Sequence, residues 1–114
     1  MNANAHLLVM YPVPKDPKSF DRAYRDEHLP YAGPRLKGAV GVSSKRVAEA
    51  PGNSPRYYAI SDIAFPSLAA LEECAGSARG KEALAHAVKI SSGGAPIFLV
   101  AEEETITFTK TVSA

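Results

Sequence analysis

Cysteine is nearly missing from this chain: Cys74 stands alone among 114 residues, so no internal disulfide can form. In Leu-Glu-Glu-Cys-Ala-Gly it reads as a small helical residue, and the carboxylates of Glu72 and Glu73 oppose thiolate formation. A chain without disulfides points to the cytoplasm. Long apolar runs are missing too. The longest, residues 7–10, is far too short to cross a membrane, and the N-terminus lacks the charged-then-apolar layout of a signal peptide. Neither sign of charge dominates, since 13 basic and 12 acidic residues leave +1. No basic cluster with interleaved aromatics offers itself to a nucleic acid. Common site fingerprints are absent as well. Gly93-Gly94 lacks the Lys and Ser/Thr of a P-loop and the spacing of a dinucleotide fingerprint, so it reads as a turn. No Gly-x-Ser-x-Gly elbow occurs. His6, His28 and His86 fall on different elements without ligand spacing, so no closed zinc site is expected. His86, set among alanines, reads as a surface residue, and Glu102-Glu103-Glu104 as a solvated charge run. No cofactor motif is present and none is predicted, haem sites needing no local motif aside.

What is present fits an ordinary globular chain, 46% hydrophobic and 22% charged, that forms one domain over residues 1–114. Its most informative stretch is 16–31. Asp16 can cap the first free amides of a helix, and Pro17 suits the first helical position because its missing N–H is not needed there. Phe20, Tyr24 and His28 lie four apart and stack along one face, with Lys18, Asp21, Arg22, Arg25 and Asp26 largely on the other. Pro30 disfavours helical geometry at Leu29, so the helix should stop there. Two roles fit His28. At a helix end it answers the partial negative charge of the free carbonyls. At the end of a buried aromatic stripe it faces an interior, where burial lowers its pKa, and it can then move a proton near neutral pH.

The remaining elements follow in order. Residues 6–11 form a buried strand and 39–47 a second, valine- and serine-rich one. A turn at 50–55 leads to a third strand over 56–65, antiparallel to the second. Ser67 caps a helix carrying Leu68, Leu71 and Ala75. Gly76-Ser77 breaks or restarts it, and 81–90 continues with Leu84, Ala87 and Val88 on one face. Residues 97–101 form a fourth strand, and the alternating tail 105–109 a further short one. Period two places Tyr58, Ile60 and Asp62 on one face of the third strand. A carboxylate there lies either at an exposed edge or against a cavity, and in a cavity it could orient or ionise an imidazole.

The order strand, helix, strand, strand, helix, strand is the ferredoxin-like α+β arrangement βαββαβ, an antiparallel sheet with its helices on one face. Leu7-Leu8-Val9-Met10 and Ile97-Phe98-Leu99-Val100 are apolar at every position, so both faces of those strands need cover. The chain has no spare element for the second face. A second copy of the same sheet is the simplest cover, which predicts a homodimer.

The run Phe20-Asp21-Arg22-Ala23-Tyr24-Arg25-Asp26-Glu27-His28-Leu29-Pro30 resembles the signature of the EthD family, named for ethyl tert-butyl ether degradation: an aromatic-rich helix ending in His-x-Pro. The likeness extends to Met10-Tyr11, to Tyr57-Tyr58 through Phe65 ahead of Ser67-Leu68, to the Gly-Gly loop and to the last strand. The resemblance implies a dimeric α/β-barrel, in which the sheets of two ferredoxin-like subunits enclose a cavity, and an oxidoreductase or ether-degradation role. Relatives in the wider barrel group include cofactor-free monooxygenases, haem enzymes, and polyketide cyclases, dehydratases and isomerases. The family histidine maps onto His28. Members often carry Asp where Ala85-His86-Ala87 stands here, a departure in the second helical region.

Together these readings predict a small cytoplasmic enzyme or accessory factor acting on an apolar small molecule between helix and sheet. His28 moves a proton with Asp62 as its partner, and Phe20, Tyr24, Tyr31, Tyr58 and Ile60 bind the ligand, tyrosine offering an apolar body with one orienting hydroxyl. The alternatives are a non-catalytic binding or carrier protein, a cofactor-free dehydratase or isomerase, and a purely structural dimer.

Overall fold

The computed structural model describes residues 4–53 and 56–109. Four strands, β1 (Ala5–Pro12), β2 (Gly41–Arg46), β3 (Tyr57–Phe65) and β4 (Ile97–Glu102), form one sheet in the order β2-β3-β1-β4. Every neighbouring pair is antiparallel, as expected for βαββαβ. The apolar run of β1 takes the centre, where both of its edges are hydrogen-bonded and one face is buried: Leu7, Val9 and Tyr11 are at most 4% exposed. No helix among the described residues is long and apolar enough to cross a membrane.

The first helical stretch departs from expectation in an instructive way. It starts as predicted: Asp16 accepts from the amides of Lys18 (3.1 Å) and Ser19 (3.4 Å). It does not stop at Leu29. An α-helical turn, α1 (Pro17–Arg22), widens into a π-helical turn over Ala23–His28 and continues as α2 (Leu29–Ala32) and a 3₁₀ turn over Gly33–Arg35. Leu29 keeps helical angles (φ −61°, ψ −44°) and its N–H reaches the carbonyl of Tyr24, five residues back. The wider turn is how the chain accommodates Pro30, whose ring would otherwise press on the carbonyl four residues earlier.

The second helical region follows the sequence more closely. In α3 (Leu68–Gly76) the Ser67 hydroxyl accepts from Ala70 N–H at 3.1 Å. Ser77 ends that helix by donating to the Cys74 carbonyl (2.7 Å) and starts α4 (Ala78–Ile90) by accepting from Gly80 N–H (3.0 Å). The buried stripe of α4 is Gly80, Ala83, Ala87 and Ile90. Val88, expected on that face, is turned outward and 47% exposed, because one step past Ala87 rotates it by about 100°.

Two further expectations are corrected. Residues 105–109 form no strand, for β4 ends at Glu102 and the chain leaves the sheet with Ile106 and Phe108 exposed. The pairing of β1 with β3 slips between Tyr11 and Pro12, and that irregularity breaks the simple alternation that would put Tyr58 beside Ile60 and Asp62. Its ring instead meets Phe20 at 5.7 Å on the helix side.

Helices cover one face of the sheet, where Phe20, Leu36, Ile63, Phe65, Leu71 and Ala83 join the core. The opposite face carries Leu8, Met10, Ile60, Ile97 and Leu99 by register. Those five are only half-buried or exposed, the last two at 39% and 45%.

Candidate functional site

A row of rings runs from the sheet along the first helical stretch to α4. Phe20 meets Tyr11 edge-on at 5.0 Å and stacks on Tyr24 at 6.1 Å. Tyr24 lies 5.8 Å from His28. His28 and His86 lie in planes within 4° of parallel, their centroids 5.2 Å apart, and Tyr31 stacks on His86 at 4.5 Å. Arg35 closes the row with its guanidinium 3.6 Å above Tyr31 and a 3.1 Å bond to Glu82 on α4.

His28 is 7% exposed. Its Nδ1 lies 2.9 Å from Nδ1 of His86, so one ring donates the single hydrogen of that bond and the other offers its lone pair. Burial, reinforced by the neighbouring imidazole of His86, pushes the His28 pKa down from 6.5 to about 4. The side chain makes no capping bond and stands midway in the helical run, not at its end. The helix-end reading of His28 therefore fails: a ring that is neutral at pH 7 and buried in mid-run cannot answer a terminal dipole.

Beyond Tyr24, a cleft of about 130 Å³ opens between the helix and the β2–β3 side of the sheet, bordered by Tyr11, Phe20, Tyr24, Ala59, Ile60 and Ser61 among others. The Tyr24 hydroxyl shares hydrogen bonds with Ser44 (2.5 Å) and Ser61 (3.0 Å). At the rim, Asp21 accepts from Tyr58 (3.1 Å) and from Arg46 (2.8 Å), and the Arg46 guanidinium lies 4.2 Å over the Tyr58 ring. The Tyr11 hydroxyl is buried without a hydrogen-bond partner among the described residues, and burial holds its pKa far above the usual phenol range.

The sequence-predicted residues thus divide. Phe20, Tyr24 and Ile60 meet at the cleft, with Tyr58 at its rim through Asp21, while His28 and Tyr31 lie beyond Tyr24 against His86. Asp62 does not reach His28. It faces the other side of the sheet, opposite Leu8 of β1, and its carboxylate takes His6 Nδ1 at 2.6 Å with Lys45 Nζ at 3.6 Å. Glu103 lies 2.6 Å from the other nitrogen of His6. The hydrogen bond to Asp62 is the main reason the His6 pKa is raised, against the opposing effect of burial. The partner that Asp62 was expected to be for His28 is His86, which the sequence reading left on the surface. Its neighbours held one clue, because Ala83 and Ala87 bracket it on the buried stripe of α4. No group of three or more His, Cys, Asp or Glu side chains among the described residues is arranged to hold a metal ion.

No family model matches the chain. It is 29% identical over 100 residues to an uncharacterized 11.0 kDa protein of the thcB–thcC intergenic region of Rhodococcus erythropolis, covering 88% of this chain and 95% of that protein. Among solved structures it resembles an EthD family protein of Bacillus halodurans, with a TM-score of 0.78 at 21% identity over 89% of this chain and 99% of that one. An EthD-like protein of Ralstonia eutropha follows at 0.65 and 20% identity, covering 90% and 93%. A dimeric ferredoxin-like protein of unknown function from Jannaschia gives 0.59 at 23% identity, covering 91% and 100%. The chain has the ferredoxin-like fold of EthD family proteins, as its aromatic helix and its element order predicted.

Proposed function

We propose that the protein is a single-domain cytoplasmic homodimer that takes an apolar small molecule in the cleft between the first helical stretch and the sheet, with His28 as its proton-transfer residue. The observation that carries this reading is the buried, neutral imidazole of His28 bonded to the half-exposed imidazole of His86. The bond between the two Nδ1 atoms leaves Nε2 of each ring unused by it. A proton arriving at Nε2 of His28 lets its Nδ1 proton pass to His86, so the charge moves to the wetter ring and never has to stay buried.

Size narrows the ligand. At about 130 Å³ the cleft lies below the roughly 300–1,000 Å³ of drug-sized sites. It is close to the ~150 Å³ cavity that accepts benzene in another protein. A single ring or a compact branched ether fits, and the likeness to EthD proteins directs the search toward ethers and an oxidoreductase role. One observation favours a second reading, a carrier without chemistry: His28 does not border the cleft, and Tyr24 stands between them.

Thermal shift tests the site. Compact ethers and monocyclic ketones should raise the melting temperature of the wild type, and Ala59→Leu, which fills the cleft, should abolish that rise. A wild type indifferent to the whole panel would end the reading. The dimer rests on the uncovered sheet face and is supported by the dimeric neighbour from Jannaschia. Light scattering at micromolar concentration should return twice the 12.1 kDa chain mass. Leu99→Asp, which places a charge on the uncovered face, should return a folded monomer; a monomeric wild type would remove the homodimer.

A further inference from the structure

Strand β4 is an edge strand, yet Ile97, Phe98, Leu99 and Val100 follow one another along it and are each 36–55% exposed. Both its faces are therefore apolar and both meet water. Edge strands ordinarily carry charges, prolines or bulges that block further pairing, and β4 carries none of these before Glu102.

The tail that follows has complementary properties. Thr105-Ile106-Thr107-Phe108-Thr109 has the alternation of a strand with one apolar face, but Ile106 is 70% and Phe108 91% exposed. It cannot answer β4 of its own chain. Glu103 N–H extends the ladder to the Asn4 carbonyl at 2.7 Å, and the Glu103 carboxylate lies 2.6 Å from His6. Only Glu104 then separates the ladder from Thr105. A tight hairpin needs at least two residues, normally Gly or Asn at positive φ, and no described residue other than glycine has positive φ.

We infer that residues 105–109 of one copy add as a strand to the open edge of β4 in a second copy, reciprocally, with Ile106 and Phe108 laid on its apolar side chains. This rests on the homodimer reading and specifies what joins the copies. Strand addition supplies main-chain hydrogen bonds to an edge that otherwise leaves them to water. A twofold axis lets the same tail and the same edge be used twice.

Two measurements decide it. The double variant Ile106→Asp with Phe108→Asp should weaken the dimer at least about 100-fold in sedimentation velocity, since four large apolar contacts are lost per dimer. Its circular dichroism should match the wild type, because both residues are exposed in the single chain. In a dimer mixed from isotope-labelled and unlabelled chains, filtered NOE spectra should connect the Phe108 ring to β4 side chains of the other chain. A variant that dimerises as tightly as the wild type, or Phe108 contacts confined to its own chain, would overturn the strand exchange and leave the face-to-face dimer standing. A wild type that is monomeric at all concentrations would overturn both.

Discussion

His28→Gln should lower turnover of the substrate by about 10²–10⁴-fold, the usual worth of a positioned proton-transfer group. Glutamine keeps a side chain that can donate to or accept from His86 at the 2.9 Å contact, but it cannot carry a proton between atoms near neutral pH. The cost in stability should therefore stay near ~1 kcal/mol, that of an imperfectly replaced hydrogen bond. Activity and melting temperature together separate the cases. A Gln variant that keeps full activity makes His28 a spectator and favours the carrier. Loss of activity with an unchanged melting temperature supports proton transfer. Unfolding of the variant would mark the His28–His86 bond as structural.

Stability should also fall on the acid side of pH 6.5, by about 3 kcal/mol at pH 4 on account of His28 alone. Folding moves its pKa from 6.5 to about 4, and each unit is worth roughly 1.4 kcal/mol. Below pH 6.5 the unfolded chain binds a proton at His28 that the folded chain refuses, so acid favours unfolding until the folded pKa is passed. His6 works in the opposite sense. Its raised pKa means that the folded chain keeps a proton the unfolded chain has lost, so its contribution is full below pH 6.5 and disappears as pH climbs through the raised value. The two histidines together should place their joint optimum close to pH 6.5. Urea midpoints from pH 4 to 8 for the wild type, His28→Gln and His6→Gln give the test. The acid limb should flatten in the first variant and the alkaline limb in the second. Asp16, whose carboxylate is held below its usual range chiefly by the Ser19 hydroxyl, adds an acid limb common to all three, so the differences between variants carry the result. An acid limb unchanged in His28→Gln would mean that His28 is not held neutral by burial.

Much of this architecture could be read from residue pattern because it depends on local physics. The continuous apolar runs of β1 and β4, the caps Asp16, Ser67 and Ser77, and the spacing of Phe20, Tyr24 and His28 each act within a few residues. What escaped is what depends on contacts between distant segments. His86 sits 58 residues from His28, and nothing in the alanines around it announces that α4 will present it to the first helical stretch. Asp62 was placed correctly on a face, but not on which side of the sheet that face would lie relative to His28. Tyr58 was misplaced by an irregularity at Tyr11–Pro12 that simple alternation cannot register. The tail 105–109 has the pattern of a strand, and it lacks within its own chain only an edge within reach.

The widened turn at Ala23–His28 makes the chain intolerant of a change in length there. An α-helix advances about 100° and ~1.5 Å per residue, and the π-helical turn holds one residue more than that progression needs. Removing a single residue between Ala23 and His28 would let the backbone return to four-residue bonding. Everything after it would be wound back by roughly a third of a turn. Pro30 would then press on the carbonyl four residues before it, Tyr31 would leave the His86 ring, and Leu36 would swing away from the core it now helps to close. The segment thus works as a spacer whose residue count sets the angular phase between the aromatic cleft at one end and the imidazole pair at the other. Relatives that differ by one residue here would present a different side chain to His86, even with every neighbouring residue unchanged.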